Sequence, residues 1–85
     1  MDDGQLLLTP AERIKDIVDR MLAGKGLPPA EPERDLREAG LSSLDMVNVM
    51  LALEDAFEIS LPQDEMTAEN FRTASAIEAL VARVA

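Results

Sequence analysis

Apolar residues recur along this chain at helical spacing, and nowhere do they alternate as a strand would require. Ile14, Ile17, Val18, Met21 and Leu22 form one stripe, the pattern of a helix with a single buried face. Thr9-Pro10-Ala11-Glu12 opens that helix with an N-cap hydroxyl, a proline at the first helical position and a glutamate placed to close a capping box. Gly24 and Gly26 end it, because glycine accepts the backbone conformation of a helix stop. A last stripe, Ile77, Leu80, Val81 and Val84, starts from an N-cap at Thr73 or Ser75.

The second helix, from about Ser43 to Glu58, has more apolar residues than one buried face needs. Met46, Val49, Met50, Leu53 and Phe57 fall within one arc and make the core face. Leu44, Val47, Leu51 and Glu54 fall on a second arc, roughly a third of a turn away. Either the helix is embedded and touched from two sides, or it carries an exposed apolar strip that a partner covers.

Between the first two helices lies "GLPPAEPERDLREAGL", whose Pro28, Pro29 and Pro32 exclude a continuous helix or strand. Leu27, Leu36 and Leu41 are spaced to pin this long loop onto the core, with a short turn near Asp35–Ala39. After Leu61-Pro62, the acidic segment Gln63 to Asn70 has room for one or two irregular helical turns, and Phe71 belongs to the core. The expectation is an all-α fold: a small four-helix bundle with a long first loop and a short third helix. Residues 1–85 make one domain, ordered from about 9 to 84.

Composition narrows the chemistry. The 85 residues include no Cys and no His, so disulfides, thiolate metal sites and the commonest general base are all absent. There are 17 acids against 8 bases, a balance that repels nucleic-acid phosphates and anionic lipids and suits partners with basic patches. The imbalance is local: from Glu38 to Phe71 there are eight acids and no Lys or Arg. No apolar run approaches the length of a membrane span. "QLLLTP" is too short for a signal core and follows acidic, not basic, residues. A cytoplasmic protein without metal, membrane or nucleic-acid partners is expected.

The stretch "AGLSSLDMVNVM" sets two serines at the start of the second helix. N-capping accounts for Ser42, with Asp45 favoured near the positive end of the helix dipole. A self-activated nucleophile fails, since the chain lacks His and the lysine nearest in sequence, Lys25, lies across the loop. A serine modified by another enzyme accounts for the second hydroxyl. A phosphodiester there would meet unpaired N–H groups, and the apolar strip with its acidic edge would dock the modifying enzyme.

"GLSSLDMVNVMLALEDAFEISLP" resembles the acyl and peptidyl carrier proteins, which share a glycine, a serine followed by leucine at a helix start, an aliphatic helix ending in acid-x-x-Phe, and an aliphatic-Pro. Gly40, Ser43, Leu44, Asp45, Val47, Leu53, Glu54, Phe57, Ile59, Leu61 and Pro62 fall in that register, and "FRTASAIEALV" resembles the family's fourth helix. The resemblance runs from Ile14 to Val84. It implies the acyl carrier protein fold, with 4′-phosphopantetheine from coenzyme A esterified to Ser43 and no catalytic residue in the chain. It also implies a face for the phosphopantetheinyl transferase and client enzymes at Leu44, Val47, Leu51, Glu54 and Asp55. Many carriers have Asp before the modified serine; here it is Ser42, which bears on transferase choice.

"GLSS", "LEDAFEISLP" and "NFRTASAI" are most similar to a subgroup of free-standing bacterial carriers loaded with a small amino acid. Their ligases are related to class II aminoacyl-tRNA synthetases. On this resemblance the chain is a monomeric aminoacyl carrier. The alternatives are a carrier of fatty-acyl or polyketide intermediates served by acyl-transfer enzymes, and an unmodified acidic interaction module.

Overall fold

The computed structural model describes residues 8–85; most of the apolar run weighed above as a leader lies outside them. The described residues form three α-helices and one 3-10 turn. These are α1 (Pro10–Gly24), α2 (Ser43–Phe57), the turn Gln63–Glu65 and α3 (Ala74–Val84), with no strand. Helix α1 starts as its sequence requires: the Thr9 hydroxyl accepts from the Glu12 N–H at 3.1 Å, and Glu12 Oε1 accepts from the Thr9 N–H at 2.9 Å. It ends through Gly26, at φ 75, which turns the chain so that the Leu27 N–H donates to the Leu22 carbonyl.

The core is aliphatic except for Phe71, which is buried in it as the sequence suggests, and has no buried polar side chain among the described residues. Ile14, Val18 and Leu22 of α1 meet Val49 and Leu53 of α2 and Ile77, Leu80 and Val81 of α3, so α1 is packed against both other helices. Full burial of each such side chain stabilises by about 1.5–3 kcal/mol relative to exposure. Met46, Met50 and Phe57 sit half-buried at the margin of this core. The α2 face splits as its two arcs predict, because only one of them points at α1.

The long loop is fastened by backbone bonds as well as by its leucines. Leu36 and Leu41 are buried, and the Leu36 N–H donates to the Arg72 carbonyl at 2.8 Å, tying the loop to the entry of α3. Asp35 Oδ1 accepts from the N–H groups of Arg37 and Glu38, which folds the turn at Asp35–Ala39. Gly40 leaves that turn at φ 117, and a Cβ there would meet the Leu27 side chain.

The expected short third helix is here a three-residue 3-10 turn, so the described residues hold three α-helices where a four-helix bundle was expected. Its bonds run from the Glu65 N–H to the Pro62 carbonyl and from the Met66 N–H to the Gln63 carbonyl. Beyond it, side chains take up local backbone groups. The Asn70 amide donates to the Glu65 carbonyl at 2.7 Å, and the Thr67 hydroxyl accepts from the Asn70 N–H at 3.2 Å. Arg83 of α3 binds Glu65 Oε1 and Asn70 Oδ1, each at 3.2 Å, and holds the segment down.

Candidate functional site

The two adjacent serines have different roles in the fold. Ser42 is the N-cap of α2. Its hydroxyl oxygen accepts from the Asp45 N–H at 3.1 Å, and Asp45 Oδ2 accepts from the Ser42 N–H at 2.8 Å and from the Ser42 hydroxyl at 2.9 Å. The result is a capping box closed by aspartate. Lys25, brought across from the end of α1, donates to the same Oδ2. The Lys25 ammonium first, and then the Ser42 N–H and hydroxyl, hold the Asp45 carboxyl down at about 2.

Ser43 is the first residue of α2 and is exposed. Among the described residues its hydroxyl makes no hydrogen bond, and the N–H groups of Ser43 and Leu44 meet no acceptor. Two donors at the positive end of the helix therefore accompany an uncommitted oxygen. No side-chain base touches that oxygen, and Lys25, the only lysine near it in sequence, is held by Asp45. Among the described residues no group of three acids could hold a metal ion.

A cavity of about 220 Å³ opens beside Ser43. Its walls come from α2 (Met46, Val47, Met50), from the segment after the 3-10 turn (Met66, Thr67, Ala68, Phe71) and from Arg37 in the loop. The walls are chiefly apolar, and the three methionines are the most adaptable of apolar side chains. A group joined through a phosphodiester would fit here on several counts. It would find an oxygen for the ester, N–H donors for its phosphate, and a trough beginning at the same serine for a chain of methylenes and amides.

The strip named from the α2 pattern is open to solvent: Leu44 is 70% exposed, Val47 43% and Leu51 53%. Exposure of three large aliphatic side chains on one helical face marks an unburied apolar patch. Of its two acids, Asp55 is exposed, whereas Glu54 is half-buried and its Oε2 accepts from the Leu61 N–H at 2.8 Å. Glu54 thus braces the chain after α2, where the sequence reading made it only an edge for partners. Arg37 and Met66 went unnoticed in the sequence. Arg37 is the last base before the acidic stretch, the one signal that could have marked it. Met66 had no signal, since its place beside Val47 depends on how the segment folds back.

With this geometry in hand, the chain can be set beside known proteins. A family model described as the phosphopantetheine attachment site matches residues 12–81. Aminoacyl carrier protein 1 of Bradyrhizobium diazoefficiens is 44% identical over 50 residues, 59% of this chain and 56% of that protein; the match thus spans little more than half of that relative's length. The D-alanyl carrier protein of Lactococcus lactis subsp. cremoris is 38% identical over 71 residues, covering 82% of this chain and 89% of that protein. Among solved structures, one of the Bradyrhizobium japonicum glycine:[carrier protein] ligase complexed with its cognate carrier protein and an analogue of glycyl adenylate contains a similar chain. The TM-score is 0.74 at 33% identity, covering 87% of this chain and 96% of that one.

Proposed function

The chain belongs to the phosphopantetheine-attachment family of carrier proteins, and from that membership we propose that Ser43 is the residue esterified with 4′-phosphopantetheine. The observation that carries the assignment is the division between the serines. Ser42 is spent on the capping box, while Ser43 presents an uncommitted hydroxyl beside an apolar trough. When bound, the arm supplies a thiol, on which an acyl group rides as a thioester; a chain without cysteine needs that sulfur.

The residues of the chain hold and present; they do not catalyse. Ser43 offers its oxygen, and its proton goes to a base of the phosphopantetheinyl transferase, because no side-chain base among the described residues reaches it. The Ser43 and Leu44 N–H groups stabilise the phosphate charge at the helix start. Leu44, Val47 and Leu51, edged by Asp55, dock the transferase and then the loading enzyme; Glu54 supports the same face from behind. In this reading the Gln63–Glu65 turn takes the place of the short third helix of a four-helix carrier bundle, the chain is a single monomeric domain, and it works in the cytoplasm.

We assign the cargo as a small amino acid, glycine first among candidates, loaded by a ligase of the class II aminoacyl-tRNA synthetase type. Support comes from the similarity to aminoacyl and D-alanyl carrier proteins and to the chain in the glycine:[carrier protein] ligase complex.

Intact mass after incubation with coenzyme A, magnesium and a broad-specificity transferase tests the attachment. One phosphopantetheinyl increment is expected in the wild type and in Ser42→Ala, and none in Ser43→Ala. An increment that survives in Ser43→Ala refutes the assignment. Incubating the holo protein with the ligase, ATP and glycine should then add one glycyl mass, reversible by hydroxylamine as a thioester requires.

A further inference from the structure

Of the eight Lys and Arg side chains, seven are engaged. Lys15, Arg20, Lys25, Arg34, Arg72 and Arg83 form ion pairs with carboxylates. Arg13 donates to the Ala56 carbonyl and lies over the Phe57 ring at 4.4 Å. Arg37 alone has no side-chain partner among the described residues, in a chain where acids outnumber bases 17 to 8. Its backbone is well anchored: its N–H donates to Asp35 Oδ1 at 2.9 Å, its carbonyl accepts from the Gly40 N–H at 3.1 Å, and the adjacent Leu36 is fully buried. The side chain stands at the wall of the cavity that begins at Ser43.

We propose that Arg37 is a positioning residue for the prosthetic arm, its guanidinium pairing with the phosphodiester on Ser43 and aiming the arm along the Met46–Met50–Met66 trough. The inference rests on Ser43 being the attachment point. A phosphodiester adds one negative charge at the edge of a segment that holds eight acids and no other base. The nearby lysine cannot neutralise it, because Lys25 is held by Asp45. Guanidinium presents a planar fork of donors that matches two phosphate oxygens, and such charge-assisted pairs are stronger than neutral hydrogen bonds. Helix N–H groups and Arg37 then hold the phosphate from two sides. The thioester end is biased toward the trough and away from bulk water, where the loaded aminoacyl group would hydrolyse.

The test uses the full chain, converted to the holo form and verified by intact mass. In nitrogen-labelled wild type, the Arg37 Nε–Hε cross-peak, assigned by its loss in Arg37→Lys, should move on conversion from apo to holo. The phosphorus NMR resonance of the holo protein should move by more than its linewidth in Arg37→Gln and by less in Arg37→Lys. High salt should carry the wild-type resonance toward that of Arg37→Gln, since screening weakens an exposed pair. An unmoved Arg37 cross-peak, with phosphorus resonances alike in wild type and Arg37→Gln, overturns the proposal while the mass increment leaves Ser43 in place. Absence of the increment removes both together. Arg37 is exposed, so neither variant threatens the fold, and the cross-peak measurement needs no functional variant at all.

Discussion

The Lys25 ammonium, at the C-terminal end of α1, donates to the Asp45 carboxylate two residues after Ser43. One ion pair therefore ties the end of the first helix to the start of the second, where the candidate attachment serine stands. The pair is partly exposed, and its main consequence is geometric: it fixes the capping box and with it the direction of the first turn.

That pair sets an acid limit. Asp45 has a carboxyl held at about 2, against an ordinary value of 3.8, by Lys25 and by the two Ser42 donors. A lowered carboxyl pKa contributes stability that is complete above the ordinary value and is lost as pH falls through the lowered one. The loss from Asp45 should therefore lie between about pH 4 and pH 2. A carbon NMR titration of the Asp45 carboxyl should show its midpoint near 2 in the wild type. In Lys25→Met the midpoint should rise, yet stay below the ordinary value, since Ser42 still donates. An unchanged midpoint in Lys25→Met would show that the ion pair plays no part.

Glu54 should behave as a brace. Its carboxylate accepts the Leu61 N–H at 2.8 Å, and a hydrogen bond to a charged group contributes about 1.5–3 kcal/mol. Glu54→Ala is expected to lower stability by roughly that amount in urea denaturation. Glu54→Gln keeps an acceptor oxygen and should recover part of the loss. Asp55→Asn, on an exposed side chain, should stay within about 0.5 kcal/mol of wild type. Equal stabilities for Glu54→Ala and Asp55→Asn would return Glu54 to a surface role only.

Gly40 is required by its backbone. At φ 117 a side chain is strained wherever it points, and the neighbouring Leu27 side chain occupies the space besides. Gly40→Ala should cost about 1–3 kcal/mol, read as a lowered urea midpoint with an unchanged slope. Because Gly40 leads directly into Ser42 and Ser43, the variant should also be modified more slowly by the transferase than its residual folded fraction explains.

The apolar strip should separate binding from folding. Leu44, Val47 and Leu51 are exposed, so alanine at each should change stability by no more than about 0.5 kcal/mol. If the strip docks the ligase, the same substitutions should each reduce glycyl loading, by roughly tenfold where the side chain is central to the interface. Full loading of the Leu44→Ala, Val47→Ala and Leu51→Ala holo proteins would place the docking surface elsewhere. Reversal of Asp55 to Lys should weaken loading and leave urea stability unchanged.

Local physics made much of this protein legible in its sequence. The Thr9–Glu12 box, the two arcs of α2, the loop leucines and an N-cap at Thr73 or Ser75, of which Thr73 is the cap, all follow from side-chain types at fixed spacings. Hydrogen bonding over three residues and helical periodicity need no knowledge of the rest of the fold. Ser42 as cap with Asp45 at the third position was readable for the same reason. Only the tertiary structure decided what depends on which segments meet. The pattern marks the Met46–Phe57 arc of α2 as the core face, but not whether a second element also covers Leu44, Val47 and Leu51. Glu54 looks like any surface acid until the chain after α2 folds back and brings the Leu61 N–H to it. Lys25 is 20 residues from Asp45 and Arg13 is 43 from Ala56, so no local pattern could pair them. In place of the short third helix stands a 3-10 turn: Thr67 and Asn70 take up backbone groups locally, but the Arg83 bonds to Glu65 and Asn70 arise only once α3 has packed. Local spacing determines which residues share a face and which of two neighbouring serines caps the helix; long-range packing determines what that face meets.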